Sequence, residues 1–463
     1  MMASTTMAST LRRAAAAPWL RAEPVPPRSG PDAAAAARRW ILRQWGLTRL
    51  ATLLILVPEN NILGDVRYYG RQLDALFGPA RVTDVLREYP APSFGVFLPP
   101  WGLALGNRVA YLFTFVATML ALDALFTAAL WVGSGRRPTP GLRLWLWLAP
   151  CLGPLEFTRF DLVPAALAGT ALLAVAARRP ARAGLLAAAG AAVKLWPAAL
   201  LPALLLPRPG RGRLIAWFAA AGVVVAGLTV TLCGTARLVS PLTWQSDRGL
   251  QIESFFAVPL LWGRVVSPGT WDAPYTKFFA YQIEGPWTGP LMAVSTVAMG
   301  LAVVAIGWLW WRCLRWATIT HPAGTAAEPW VTSTVLVLAG LLSVLTASLL
   351  VITNKTLSPQ YILWIGGLLA ALGCIVPDEP TLPRLTGLLL ITCVVTQLIF
   401  PIGYSLLTNE TWASGIGVAL LTLRNGLLAA STVIVARRLL ALTRTTAPNR
   451  TTAPNRTTGE PRP

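Results

Sequence analysis

The residues of this 463-residue chain most able to do chemistry are ionisable groups set apart from its arginine-rich turns. They are Asp65 in GDVRYYG, Glu88 in REYPAP, and Glu156, Arg159 and Asp161 in EFTRFD. Lys194 in AAVKLWP, Arg248 and Glu253 in RGLQIES, and Lys355 in NKTLSPQY continue the series, with Asp247, Lys277 and Glu284 between them. Carboxylates among cations suit one kind of step. A carboxylate takes a proton while the cations hold an anion that binds or leaves. Lysine occurs only at 194, 277 and 355, and every other basic residue is arginine. A chain that favours arginine so strongly yet keeps lysine there points to a use for a compact ammonium.

Other chemistries fit less well. The five cysteines, Cys151, Cys233, Cys313, Cys374 and Cys393, are scattered, form no CxxC pair, and are joined by one histidine, His321. A Cys/His metal site is not expected, and the cysteines read as small buried apolar residues. The formal net charge of +20 could suggest nucleic acid. The arginines, however, sit at the ends of apolar runs and form no patch interleaved with aromatics, so nucleic acid is excluded as a partner.

The elements that must position these groups are membrane helices. The chain is 55% hydrophobic and only 13% charged, against roughly 25% charged in soluble domains. Apolar runs fall at about 40–57, 107–133, 142–157, 161–177, 183–206, 214–233, 288–311, 330–353, 359–376, 385–403 and 412–436. The fold class is therefore an all-α polytopic membrane protein with about 11–12 membrane helices. Basic turns at Arg136–Arg137, Arg178–Arg182, Arg208–Arg213, Arg312–Arg315 and Arg437–Arg444 can all be cytoplasmic on one condition. The run 183–206 must then be a hairpin of two short helices, with Lys194 near its outer turn; the alternative, one kinked spanning helix with a buried lysine, would put Arg208–Arg213 outside. Both termini are then cytoplasmic, and two large loops, 58–106 and 234–287, lie outside with short turns at 158–160, 354–358 and 404–411.

Residues 1–37 and 441–463, the latter with TTAPNR twice, read as disordered cytoplasmic segments flanking one transmembrane domain over 38–440. Residues 1–37 lack the long apolar core of a secretory signal. In the first loop, Val82, Val85, Leu86 and Tyr89 recur at helical spacing, which predicts an interfacial amphipathic helix. Asp123, within an apolar run, reads as a helix–helix polar contact.

The pieces GDVRYYG (64–70), REYPAP (87–92), RFDLVPA (159–165), AAVKLWPAALLPALLL (191–206), RGLQIES (248–254) and NKTLSPQYILW (354–364) match a family in order and spacing. Over about residues 40–440 the chain resembles the polyprenol-phosphate-dependent GT-C glycosyltransferases, closest to glycosyltransferase family 87, the bacterial mannosyltransferase group. The resemblance implies a GT-C-type fold in the bacterial plasma membrane with the active site facing outward. It makes Asp65, the acidic residue of the first outer loop, the general base. It implies a polyprenyl-phosphate sugar, most readily mannose, as donor, and a glycolipid, glycan or peptide as acceptor. Lys194, Lys355, Arg159 and Arg248 would meet the donor phosphate. Glu88, Tyr89, Asp161, Gln251, Glu253, Gln360 and Tyr361 would line the substrate cavity. An inverting displacement from a phosphate leaving group needs one base, whereas a retaining hydrolase needs two carboxylates. The resemblance also implies no metal cofactor, in keeping with the lack of a DxD-type motif. A histidine that the family often carries in a later outer loop has no counterpart, since His321 falls in a cytoplasmic loop. Two alternatives share some of these features: a multi-pass transporter, and an outer-face polysaccharide polymerase or ligase.

Overall fold

The computed structural model describes residues 31–56, 60–78, 80–320 and 333–444. Helices α1 (Pro31–Leu56), α2 (Gly64–Leu76), α3 (Phe94–Leu103), α4 (Arg108–Gly133) and α5 (Pro140–Leu152) open the chain. There follow α6 (Leu162–Ala176), α7 (Pro180–Val193), α8 (Arg211–Cys233), α9 (Ala236–Asp247) and α10 (Val258–Val266). The last five are α11 (Thr288–Thr320), α12 (Ser333–Ile352), α13 (Ile362–Ile375), α14 (Leu382–Gln397) and α15 (Ser414–Leu442). The protein is all-α and polytopic. Among the described residues six helices, α4, α8, α11, α12, α15 and α14 with its extension to Ile402, are long and apolar enough to cross a membrane.

The other apolar helices are shorter. α6 has 15 residues and α7 and α13 have 14 each, or about 21–23 Å at 1.5 Å per residue. A hydrocarbon core of about 30 Å is not crossed at that length. Such helices are tolerated where their ends meet protein or a wet cavity, and all three end at the cavity described below.

α5, α6, α12 and α13 form the buried centre, and α13 packs on the other three. Glycines set its approach: a Cβ on Gly373 would lie 2.7 Å from the Gly141 Cα, so α5 and α13 cross backbone to backbone. Around this centre α8 and α11 expose rows of Val, Leu and Trp, the surface expected against lipid tails. Asn107 caps α4 by accepting from the Val109 and Ala110 amides, each at 2.9 Å.

The run 183–206 reverses at Lys194. α7 ends at Val193, Lys194 is extended, and the chain returns through a 3₁₀ turn (Trp196–Leu200) and one helical turn (Leu201–Leu204). Gly210 comes back against the Pro180 ring at the start of α7. Arg178, Arg211 and Arg213 therefore share one end of the bundle, tied onward by Arg208 to Thr318, Arg312 to Thr443 and Arg438 to Glu379.

Two expectations need correction. The segment 82–88 is a run of turns rather than an amphipathic helix. Leu86 takes φ +52°, which breaks the helical path. The Val85 and Leu86 carbonyls instead accept from Arg237 of α9 at 3.0 and 2.7 Å. The loop's helix is α2, just upstream. Residues 31–37 belong to α1, because Ala33–Ala37 is a strong helix former continuous with the apolar run. The TTAPNR repeats and His321 lie outside the described residues.

Asp123 joins three helices. Arg49 of α1 grips it with Nε–Oδ2 2.8 Å and Nη2–Oδ1 2.6 Å, while the Trp45 and Trp145 indoles donate at 2.7 and 2.8 Å. Glu156 stands 3.7 Å from the same guanidinium, and all three charges are buried. A lone guanidinium facing two carboxylates is the condition for the largest losses when one partner is removed. Arg49→Ala is expected to destabilise the fold by about 3–5 kcal/mol. Thermal unfolding in detergent checks this, and an unchanged melting temperature would show that the cluster does not hold the helices together.

Candidate active site

At the end of the bundle opposite those arginine turns, the helix ends enclose one cavity of about 1000 Å³. Its polar side chains come from places where helices stop. Asp65 occupies the first turn of α2, where the helix dipole favours a carboxylate. Arg159 is extended, just past the one-turn helix Leu155–Thr158. Lys194 ends α7 and Arg248 ends α9. Lys355, Gln360 and Tyr361 lie in the turn between α12 and α13, where Asn354 Oδ1 accepts from the Thr356 amide at 2.9 Å.

Asp65, Glu88, Tyr89, Arg159, Lys194, Arg248, Gln251, Glu253, Lys355, Gln360 and Tyr361 all line this cavity. Asp161 does not. It stands behind Lys194, accepting from Nζ at 2.6 Å and from the Trp364 indole at 2.8 Å. Lys194 is further held among Phe160, Tyr361 and Trp364, 4.8–5.2 Å from their ring centres. That cage fixes the ammonium at the wall. Glu156 faces Arg49 on the far side of its turn, so EFTRFD is no self-contained ion cluster. Each of its three charges finds a partner on another element.

Asp65 and Arg159 form the central pair. Arg159 Nε lies 2.9 Å from Asp65 Oδ2, with the guanidinium buried and the carboxylate one-third exposed. The contact is charge to charge, since the Nε–H has no aligned acceptor. Nη1 donates to the Ile62 carbonyl at 2.9 Å and the Thr158 carbonyl at 3.1 Å, which locks the fork. Arg248 is also buried; its only contact to Gln251 is long, 3.5 Å, and its Nε–H is unpartnered. The Trp196 indole N–H is a second buried donor without an acceptor. Arg159, Arg248 and Trp196 all line the cavity. Buried donors are nearly always satisfied, so two left over beside a cluster of cations fit an oxygen-rich, anionic ligand.

Further groups tune the site. Tyr68 donates to Glu88 at 2.8 Å. Burial pushes the Glu88 carboxyl above its usual range, which favours its neutral, hydrogen-bonding form. Burial, then the nearby Arg248 charge, lower the Lys355 ammonium from its ordinary value, and Nζ donates to the Ser246 carbonyl at 2.9 Å. Glu253 is spent on Arg424, which grips its carboxylate at 2.5 Å and its carbonyl at 2.6 Å. It anchors the loop 248–254 more than it offers a free carboxylate. That loop is pinned again where the Gln251 amide donates to the Lys355 carbonyl at 3.0 Å.

The family model for glycosyltransferase family 87 matches residues 88–339, more than half of the chain. The chain belongs to glycosyltransferase family 87. Comparison with curated proteins and with solved structures gave no match. The protein is thus a membrane glycosyltransferase, and the transporter alternative loses its ground. The matched span holds Glu88, Tyr89, Arg159, Asp161, Lys194, Arg248, Gln251 and Glu253, while Asp65, Lys355, Gln360 and Tyr361 lie outside it. The geometry alone joins those four to the family's span. Sequence reasoning missed the aromatic wall of this glycosyltransferase: Tyr68 against Phe279 (ring centres 4.2 Å), Trp244 against Phe278 (5.2 Å), and Tyr275 against Tyr281 (5.1 Å). The aromatic run at 275–281 in the second large loop was the available signal.

Proposed function

We propose that the protein moves a hexose, mannose in the first instance, from a polyprenyl-phosphate donor to an acceptor on the outer face of a bacterial plasma membrane. The observation that carries this is the cavity lining: Asp65 paired with Arg159, with unpartnered N–H groups on Arg248 and Trp196. The acceptor hydroxyl gives its proton to Asp65 as its oxygen attacks the anomeric carbon. The bond from that carbon to the phosphate oxygen breaks on the opposite face, with inversion. The products are the glycosylated acceptor and a polyprenyl phosphate. Arg159, Arg248, Lys194 and Lys355 stabilise the negative charge that builds on the phosphate. Fixed cations supply that stabilisation in this scheme, and no resident metal enters it.

The sidedness rests on charge. Arginine turns gather at the end of the bundle away from the cavity, and such turns favour the cytoplasm. Nucleotide sugars are cytosolic, so an outward cavity calls for a lipid-borne donor.

Sealed right-side-out vesicles bearing the protein are expected to transfer radiolabel from added short-chain polyprenyl-phosphate-mannose and not from GDP-mannose. Transfer from the nucleotide sugar alone would overturn both the donor and the sidedness.

A further inference from the structure

The base of the Lys194 hairpin, far from the cavity, holds a second hollow of about 250 Å³. Arg178, Arg211 and Arg213 line it with Pro180, Gly210 and Leu214, and no acidic side chain is among its lining residues. Among the described residues none of these three arginines forms a salt bridge. Arg211 is fixed by the Leu205 and Leu206 carbonyls, which accept from Nε at 2.6 Å and Nη2 at 2.7 Å. Those oxygens orient the guanidinium without neutralising it.

One further feature adds to the positive field. The 23-residue helix α8 starts at the hollow with no side-chain cap, so its positive end adds to the field. Beyond the first turn, α8 exposes Ile215, Trp217, Val223 and Val224. The helix whose first turn lines the charged hollow thus continues into exposed apolar side chains. A tryptophan stands at the boundary, a level that indoles favour in membranes.

The geometry points to a binding site for a phosphate ester at the hairpin base, filled by an anionic phospholipid. The headgroup phosphate meets Arg178, Arg211 and Arg213, and the acyl chains run along α8. Basic hollows between membrane helices suit such headgroups. The apolar face of α8 favours a lipid over a free anion, although both carry the same recognised group. The arginine turn at Arg136–Arg137 carries like charge but lines neither cavity, and so serves as the control for diffuse attraction.

The test uses the full chain in phosphatidylcholine nanodiscs with a minor fraction of phosphatidylglycerol, and reads retained lipid by native mass spectrometry. Wild type is expected to retain phosphatidylglycerol selectively. Arg178→Gln with Arg213→Gln leaves the Arg211 carbonyl bonds in place. It removes two charges and is expected to weaken retention about thirtyfold. Arg136→Gln with Arg137→Gln is expected to behave as wild type. In a second arm, delipidated protein in detergent is titrated with inorganic phosphate and its melting temperature followed. A phosphate-induced rise that the Arg178/Arg213 variant lacks would also support the site and would name a free anion as its ligand. Equal weakening in both double variants, or neither lipid selectivity nor a phosphate effect in wild type, overturns the proposal.

Discussion

Asp65→Asn is expected to lower the rate of sugar transfer by about 10²–10⁴-fold without loss of expression or monodispersity. An amide fills the same space as the carboxylate but cannot take the acceptor proton. The fold has little to lose, because Asp65 is one-third exposed and its contact with Arg159 is an ion pair without an aligned hydrogen bond. Other cavity carboxylates cannot readily stand in. Glu253 is committed to Arg424, and Glu88 is buried and accepts from the Tyr68 hydroxyl, while Asp161, behind the wall, is held by Lys194 and Trp364. Transfer within tenfold of wild type, measured with radiolabelled lipid donor under initial-rate conditions, would remove Asp65 from the role of base.

Which features were legible in the sequence follows from the physics that carries them. Lipid exposure writes itself into composition, so α4, α8 and α11 stand out as apolar runs. The hairpin at Lys194 was legible because charge asymmetry constrains topology: basic turns on both flanks of one apolar run forbid a single crossing. Ion-pair partners were not legible. Arg159 meets Asp65 across 94 positions of chain, and Glu253 meets Arg424 across 171. The three charges of EFTRFD are close in the chain, yet they point to three different elements. The segment 82–89 misled for a related reason. Its apolar spacing is helical, and Val85 and Leu86 are buried, but Arg237 supplies the carbonyls with tertiary donors and Leu86 adopts a left-handed backbone. Burial can be met by turns as well as by a helix, and periodicity cannot tell them apart.

Arg159→Gln is the second large effect, with kcat expected to fall by about 10²–10³-fold. As the anomeric bond breaks, charge accumulates on the departing phosphate, and a fixed donor there acts without reorganising. Arg159 meets that condition: it lines the cavity, two carbonyls hold Nη1, and the Phe400 ring lies 5.7 Å from the guanidinium carbon. The same side chain faces Asp65, so its loss could act through the base alone. A double-mutant cycle separates the two. If Arg159 only orients Asp65, Arg159→Gln adds nothing once Asp65 is Asn. If it also stabilises the leaving phosphate, the double variant falls below Asp65→Asn in kcat. Arg159→Lys restores a charge but not the fork that spans Ile62 and Thr158, and should recover part of the rate. The expected pattern is therefore a double variant slower than either single one, with partial rescue by lysine. A double variant equal to Asp65→Asn would reduce Arg159 to a positioning residue and leave Arg248 and Lys194 to carry the phosphate charge.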